Sequence, residues 1–432
     1  RKAILFITYI FNAVLRTTYF PLHWKLSTIH MIPKPNKPTH LPSSYRPISL
    51  LPAVSKILER LLLKRILPIL ESQDIIPNHQ FGFRNQHSTI HQCHRVVDTI
   101  SSSFERKQYC SGAFLDIAQA FDRVWHPGLL WKLKGILPFT YYLILRSYLT
   151  DRFFRVSQGS ALSSFCSLKA GVPQGSVLGP ILFLVYSADI PSNPETTLYS
   201  FADDTAILSV HIDPIIASRN LQAHLNAIEG WCSKWRIKLN IEKCQHITFT
   251  LRRGTPPPVT FNNKILPTVT NVRYLGLFID KKFTWNPHTR LKRQEVNRRY
   301  KLLLRLLDNR SHLSLTNKRL IYTAIIKPIW TYGIELWGSA KRSNTQRIQT
   351  IQSKILRKIV NAPYYVSNHT IHTDLHIPLV QEVAKSRYSK FHLNLFTHSN
   401  PFIRRLSSKN IPGNPPRRLK RQWPRDWLNT RN

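Results

Sequence analysis

Asp203 and Asp204 stand side by side between two apolar stretches, Leu198-Tyr199-Ser200-Phe201-Ala202 and Thr205-Ala206-Ile207-Leu208. The pattern predicts two buried strands joined by a turn centred on the acids, a rigid support that aims carboxylates outward. A second short apolar strand, Phe114-Leu115-Asp116-Ile117, delivers Asp116 in the same way. Carboxylates on neighbouring strands suit two divalent cations about 3.5–4 Å apart, one activating an attacking oxygen, the other stabilising the leaving oxygen of an in-line displacement at phosphorus. The pair alone says little, because 13 Asp in 432 residues give roughly 0.4 such pairs by chance. Its plain alternative is a turn that the aspartates merely cap. Mutual repulsion would raise the pKa of aligned acids unless a cation neutralised them.

Between the acidic stretches lies Gly171-Val172-Pro173-Gln174-Gly175-Ser176-Val177-Leu178-Gly179-Pro180. Three glycines and two prolines in ten residues predict a sharp loop on whose backbone a flat base or sugar could lie, with Gln174 offering donor and acceptor. A plain connector is the bland reading. The apolar residues 181–190 that follow read as a buried helix rather than a strand.

These residues need elements to hold them. Leu51 to Leu70 has helical spacing, with Val54, Ile57, Leu58, Leu61 and Leu62 inward, Glu59, Arg60, Lys64 and Arg65 on the other side, and Pro68 as its stop. A helix is expected near Leu221 to Lys234, and Val272 to Ile279 reads as a strand in which Gly276 marks a close backbone approach. From Pro287 onward the pattern is helical only, over 289–307, 317–332 and a stripe of Ile348, Ile351, Ile355 and Ile359 beside Arg347, Lys354, Arg357 and Lys358. Such helices can line a duplex or simply face solvent. The N-terminal Ala3-Ile4-Leu5-Phe6-Ile7 run, broken by Thr8, Asn12 and Arg16, predicts an amphipathic helix, and no run is long enough to span a membrane. After Ser399 the Pro- and Arg-rich chain (Pro412 to Pro416, Arg417-Arg418, Lys420-Arg421) reads as a loosely ordered tail.

Composition supplies the partner. The 62 Lys+Arg exceed 22 Asp+Glu for a formal net charge of +40, while 42% of residues are apolar. A chain with that much core material is no disordered polycation, and its length predicts two or three domains. A surface so basic is best matched by the phosphates of nucleic acid. Lys25, Lys34, Lys37 and Arg46 lie among prolines in a stretch with no acidic residue before Glu59. Cys93, Cys110, Cys166, Cys232 and Cys244 are too sparse for a disulfide framework and predict a reduced, intracellular protein, in nucleus or cytoplasm. The start at Arg1 without a methionine suggests a fragment of a longer reading frame.

Seven blocks occur in an order that resembles the reverse transcriptases of non-LTR (LINE-like) retrotransposons, most closely the jockey-like ones, over roughly residues 20 to 400. They are Tyr45-Arg46-Pro47-Ile48-Ser49-Leu50-Leu51, His79-Gln80-Phe81-Gly82-Phe83-Arg84 with His87-Ser88-Thr89, Phe114-Leu115-Asp116-Ile117 with Ala120-Phe121-Asp122, Gly171 to Pro180, Phe201-Ala202-Asp203-Asp204, Trp235-Arg236-Ile237-Lys238-Leu239-Asn240 and Tyr274-Leu275-Gly276.

The resemblance implies an α+β right-hand polymerase. Fingers would cover 1–110, an antiparallel-sheet palm 111–285, a helical thumb 286–370 and a basic C-terminal extension 371–432. It implies Asp116 and Asp203 as metal-binding carboxylates, the Ile117 carbonyl as a further ligand and Asp204 as the supporting acid, around two Mg²⁺ ions with Mn²⁺ as substitute. Phe121 resembles a steric gate beneath the sugar. Gln174 and Gly175 would meet the incoming nucleotide, Arg46 and Lys34 its triphosphate, and Tyr274, Leu275 and Gly276 the primer terminus. Gln119 replaces the more usual Lys. The implied activity is RNA-directed DNA synthesis from deoxynucleoside triphosphates, with RNA template, DNA primer and target DNA as partners and no membrane. Family members usually carry an upstream endonuclease, so this chain is expected to extend a primer without making one. Two alternatives are an inactive nucleic-acid-binding relic and an RNA-templated RNA polymerase, the latter disfavoured by Phe121.

Overall fold

The computed structural model describes residues 1–35, 37–254, 256–408, 419 and 423–428. Helix α1 (Lys2–Thr17) leads to strands β1 (Leu26–Pro33) and β2 (Tyr45–Leu50), then helices α2 (Ala53–Ser72) and α3 (Thr89–Glu105). Strand β3 (Tyr109–Asp116), helices α4 (His126–Ile136) and α5 (Phe139–Leu149), strands β4 (Arg152–Gln158), β5 (Ala161–Leu162) and β6 (Cys166–Leu168), and helix α6 (Gly179–Tyr186) follow. Next come β7 (Thr196–Phe201), β8 (Asp204–His211), α7 (Pro214–Lys234), β9 (Gln245–Phe249), β10 (Thr260–Phe261), β11 (Lys264–Ile265), β12 (Asn271–Tyr274) and β13 (Leu277–Asp280). Beyond Asp280 the described residues form helices α8 (Asn286–Leu307), α9 (Leu315–Ile321), α10 (Lys327–Thr331), α11 (Ile334–Trp337), α12 (Arg342–Val360), α13 (Asn368–Asp374), α14 (Val380–Leu393) and α15 (Pro401–Arg404). The architecture is α+β, as expected.

The sheet that carries the acids has the order β7-β8-β3-β9 and is antiparallel throughout. Strand β3 is buried from Tyr109 to Leu115, since both of its faces are covered. Alternation sends Cys110 and Phe114 into a core shared with α3, and Ala113 and Leu115 into one shared with α7. A second sheet runs β2-β1-β4-β5 with β6 also on β4, and β1 and β4 are parallel. The strands at 152–168 therefore hydrogen-bond with the N-terminal strands rather than with the acid-bearing sheet. Further on, Ile348, Ile351, Ile355 and Ile359 of α12 share a core with Val296, Tyr300 and Leu307 of α8, so the expected stripe is buried.

Several expectations need correction. Pro68 does not stop α2, which continues to Ser72; its ring removes one N–H without ending the packed face. That face is Ser55, Leu58, Glu59, Leu62, Ile66 and Leu70, while Ile57 and Leu61 are exposed, so Glu59 points inward. There its carboxylate accepts from the N–H groups of Val177 and Leu178. Val272 to Ile279 is a tight hairpin, not one strand. The stretch 317–332 is interrupted by a wider helical turn at Tyr322–Ile326. Finally, the chain just after Ser399 is packed. Asn400 is buried and donates to the Asn78 carbonyl at 2.9 Å, and Arg425 pairs with Asp98 of α3 at 2.7 Å. Pro412 to Pro416, Arg417-Arg418 and Lys420-Arg421 lie outside the described residues.

Candidate active site

The last pair in the β3–β8 register is Asp116 opposite Asp204. Because side chains alternate, Asp116 shares the face of Phe114, and Asp204 that of Ala206, so both acids lie on one face at one end of the sheet. Asp203 sits in the two-residue turn between β7 and β8, whose first residue, Ala202, has φ 55°. The turn is thus centred on Ala202-Asp203, one residue earlier than expected, and Asp204 begins β8. Burial raises the Asp203 pKa, and the Asp116 charge adds to that against a backbone hydrogen bond. Asp204 is pushed up to about 6 by desolvation first and then by Asp203 and Asp116, with Arg273 opposing. The electrostatics are those of a site that favours cations.

The chain leaving β3 is pinned from its other edge. Ala118 N–H donates to the Lys238 carbonyl and Asn240 N–H to the Asp116 carbonyl, each at 2.8 Å, with Ile117 opposite Leu239 between them. In that antiparallel arrangement the polar backbone groups of Ile117 face away from residues 238–240. No described residue donates to its carbonyl. Lys243 Nζ lies 3.5 Å from Asp116 Oδ2. Among the described residues no three His, Cys, Asp or Glu side chains are grouped closely enough to hold an ion by themselves. The donor set of two carboxylates and a free carbonyl, repelling one another and short of protein ligands, fits hard divalent cations that retain positions for substrate oxygens.

What fixes the Asp203 turn is the segment 79–84, a task that its sequence alone does not announce. Phe81 N–H donates to the Ser200 carbonyl at 2.9 Å and Ser200 N–H to the His79 carbonyl at 3.2 Å. Gln80, only 5% exposed, accepts from the N–H groups of Ala202 and Gly82, both at 2.8 Å, and donates to the Ala202 carbonyl at 3.2 Å. A Cβ on Gly82 would fall 2.1 Å from Ala202 N. An alanine at positive φ costs roughly 1–2 kcal/mol, and this clamp is what holds Ala202 there. A glutamine inside a run of aromatics and glycine was the available signal.

The 171–180 loop is tied to three partners. Gly171 N–H donates to Val124 and Val172 N–H to Phe121, each at 2.8 Å, and Gly171 (φ 91°) leaves no room for a Cβ beside the Asp122 backbone. Ser49 N–H of β2 donates to the Gln174 carbonyl at 2.7 Å, and Gly175 (φ 118°) packs against the Ser49 carbonyl. Buried Glu59 accepts from Val177 N–H at 2.7 Å, Leu178 N–H at 3.1 Å and Ser55 Oγ at 3.1 Å. Burial raises its pKa, while those same hydrogen bonds pull it down. Phe121 stacks on Phe183 (5.0 Å, 26°) and meets Phe83 edge-on (5.8 Å, 87°).

Lys34 follows β1, its N–H on the Ser44 carbonyl, and its charge reaches Asp122. Arg46 is exposed on β2, opposite Ile32. The structure therefore sets the Gln174 and Gly175 backbone against Ser49 of β2 and ties the same loop to the Phe121 carbonyl through Val172, with the Lys34 charge reaching Asp122. It shows no contact of the Arg46 or Gln174 side chain with the acids. Tyr274-Leu275-Gly276 forms the β12–β13 turn, with φ 45° at Leu275 and 84° at Gly276. Tyr332 from the helical region donates to the Leu275 carbonyl at 2.6 Å, and its ring occupies the space of a Gly276 Cβ. The Tyr274 ring packs on Phe114 at 5.4 Å, seating this turn on the face that bears Asp116 and Asp204.

The family described as reverse transcriptase (RNA-dependent DNA polymerase) matches residues 32–279. The probable RNA-directed DNA polymerase from transposon X-element of Drosophila melanogaster is 44% identical over 99% of this chain and 47% of its own length. The RNA-directed DNA polymerase from mobile element jockey of the same organism is 39% identical over 99% of this chain and 48% of its own. The chain thus spans about half the length of the curated relatives it matches. A solved telomerase from Candida tropicalis, in complex with a fragment of telomeric RNA, aligns with a TM-score of 0.43 at 14% identity, covering 90% of this chain and 65% of that one.

Proposed function

Because this chain belongs to the reverse transcriptase (RNA-dependent DNA polymerase) family, with jockey-like polymerases among its relatives, we propose that it extends a DNA primer along an RNA template by nucleotidyl transfer. One observation carries the reading: Asp116 and Asp204 face each other in register at the sheet end, with Asp203 in the adjoining turn and the Ile117 carbonyl left free. Asp116, Asp203 and that carbonyl would hold two Mg²⁺, with Mn²⁺ as substitute. Bound there, the ions supply charge neutralisation at the α-phosphorus and activation of the primer 3′-hydroxyl.

The chain's own residues do the positioning. Asp204 supports the pair from across the register. Phe121, in ring contact with Phe183 and Phe83, would form the wall that admits a deoxyribose and crowds a 2′-hydroxyl. Gln174 and Gly175 present loop backbone and an amide to the nucleotide, with Lys34 and Arg46 available to the triphosphate. The Tyr274–Gly276 turn, fixed by Tyr332, seats the primer end. In the division of labour we propose, residues 1–110 with strands β4–β6 act as fingers, the rest of 111–285 as palm, 286–370 as thumb and 371–432 as a basic extension. The +40 charge would hold RNA template, primer and target DNA mainly through phosphates, with weak sequence preference. Among the described residues no helix is long and apolar enough to cross a membrane.

The test is primer extension by the purified chain on a defined RNA template with Mg²⁺ and one deoxynucleoside triphosphate. Template-complementary addition is expected. RNA binding with no addition would instead identify the chain as the inactive relic.

A further inference from the structure

Phe83 is 53% exposed yet adopts φ 55°, a conformation that costs a non-glycine residue roughly 1–3 kcal/mol. A surface turn with no other task would place Gly or Asn there. The chain on both sides is fixed. Gly82 lies so close to Ala202 that a Cβ there would fall 2.1 Å from the Ala202 nitrogen, and the Arg84 guanidinium donates back to the carbonyls of Pro77 (3.1 Å) and Gln80 (3.3 Å). The ring is thereby held edge-on against Phe121, on which Phe183 stacks separately. Phe83 also lines a cavity of about 390 Å³, with Ile76, Arg84, His87 and Ile181 among its walls. Phe83 thus touches Phe121 with its ring and also borders this cavity.

We infer that Phe83 is a specificity-determining residue for the proposed reaction, its ring keeping Phe121 upright beneath the sugar so that ribonucleotides are excluded. The inference rests on the reading of Phe121 as the sugar gate. With the Phe83 ring gone, Phe121 can tilt toward the cavity and admit a 2′-hydroxyl. The coupling between Gln80, Gly82 and Ala202 gives the gate and the Asp203 turn a common support.

The experiment measures kcat/KM for CTP and dCTP on one RNA template, for the parent, Phe83→Gly, Phe83→Leu, Phe83→Tyr, Phe121→Ala and the Phe83→Gly/Phe121→Ala pair. Glycine suits the positive φ, so Phe83→Gly removes the ring without adding backbone strain; Phe83→Leu gives the same readout if that variant does not fold. An edge-on aromatic contact of ordinary strength predicts a CTP:dCTP ratio raised roughly three- to tenfold in Phe83→Gly and Phe83→Leu. Phe83→Tyr should keep the parental ratio, and the double variant should not exceed Phe121→Ala. A raised ratio in Phe121→Ala with none in Phe83→Gly or Phe83→Leu overturns the inference alone. An unchanged ratio in Phe121→Ala overturns the gate reading and the inference with it.

Discussion

Replacing Gln80 with leucine keeps the volume of the side chain and removes its amide. Two N–H groups, of Ala202 and Gly82, then lose an acceptor held at 2.8 Å, and the Ala202 carbonyl loses a donor at 3.2 Å, all in a buried setting. Each unsatisfied buried group costs roughly 1–3 kcal/mol. Relaxation and entry of water reduce the sum, so about 3–4 kcal/mol of local stability should be lost at the Asp203 turn. That corresponds to exchange of the Ala202 and Gly82 amide protons faster by roughly 10²–10³-fold. Native-state hydrogen exchange reads it directly, and single-nucleotide incorporation in parallel should show kcat falling with little change in the KM for nucleotide. The reasoning is refuted if both amides keep parental exchange and the variant turns over normally, for then the clamp does not hold the turn.

Other outcomes follow from the same geometry. Tyr332→Phe removes the hydroxyl that donates to the Leu275 carbonyl at 2.6 Å and meets Thr89 Oγ1 at 3.1 Å. It should cost about 1 kcal/mol and raise the KM for primer more than that for nucleotide in steady-state extension. The protein should also be acid-labile. Burial above all holds His79, His87 and His91 down to about 4, and His94 well below its ordinary value, with neighbouring Arg and His groups adding to it and the hydrogen bond with the Asn85 carbonyl opposing it at His87. The unfolded chain, with histidines near 6.5, therefore binds more protons in that window. Stability is intact above neutral pH and falls as pH drops from about 6.5 to 4, by roughly 1–3 kcal/mol for each such histidine. Thermal midpoints measured across that range should decline steadily, and a flat profile would contradict the buried neutral state of these rings.

The acid-bearing strands were legible because their signal is local. An apolar run ending on Asp116, and two runs flanking Asp203-Asp204, encode strands whatever packs on them. The turn position was misread by one residue because alanine gives no hint of positive φ; tertiary contacts from Gln80 and Gly82 impose it. Helical spacing puts Glu59 on the side of α2 opposite its apolar residues, yet it faces inward because the backbone N–H groups of Val177 and Leu178 need an acceptor 118 and 119 residues along the chain. Periodicity cannot register a demand made from so far away. Gly276 was correctly read as a close approach, but the partner, Tyr332, lies in another region of the sequence. The order of the seven blocks named the candidate residues, and the structure adds the hydrogen bonds that couple them.

The most direct measurement is single-nucleotide incorporation by Asp116→Asn and Asp203→Asn on an RNA template, beside a titration of RNA affinity and of Mn²⁺ binding for each variant. Converging carboxylates predict that either change abolishes incorporation and weakens ion binding while leaving RNA affinity near that of the parent. Normal incorporation by either variant would contradict the account.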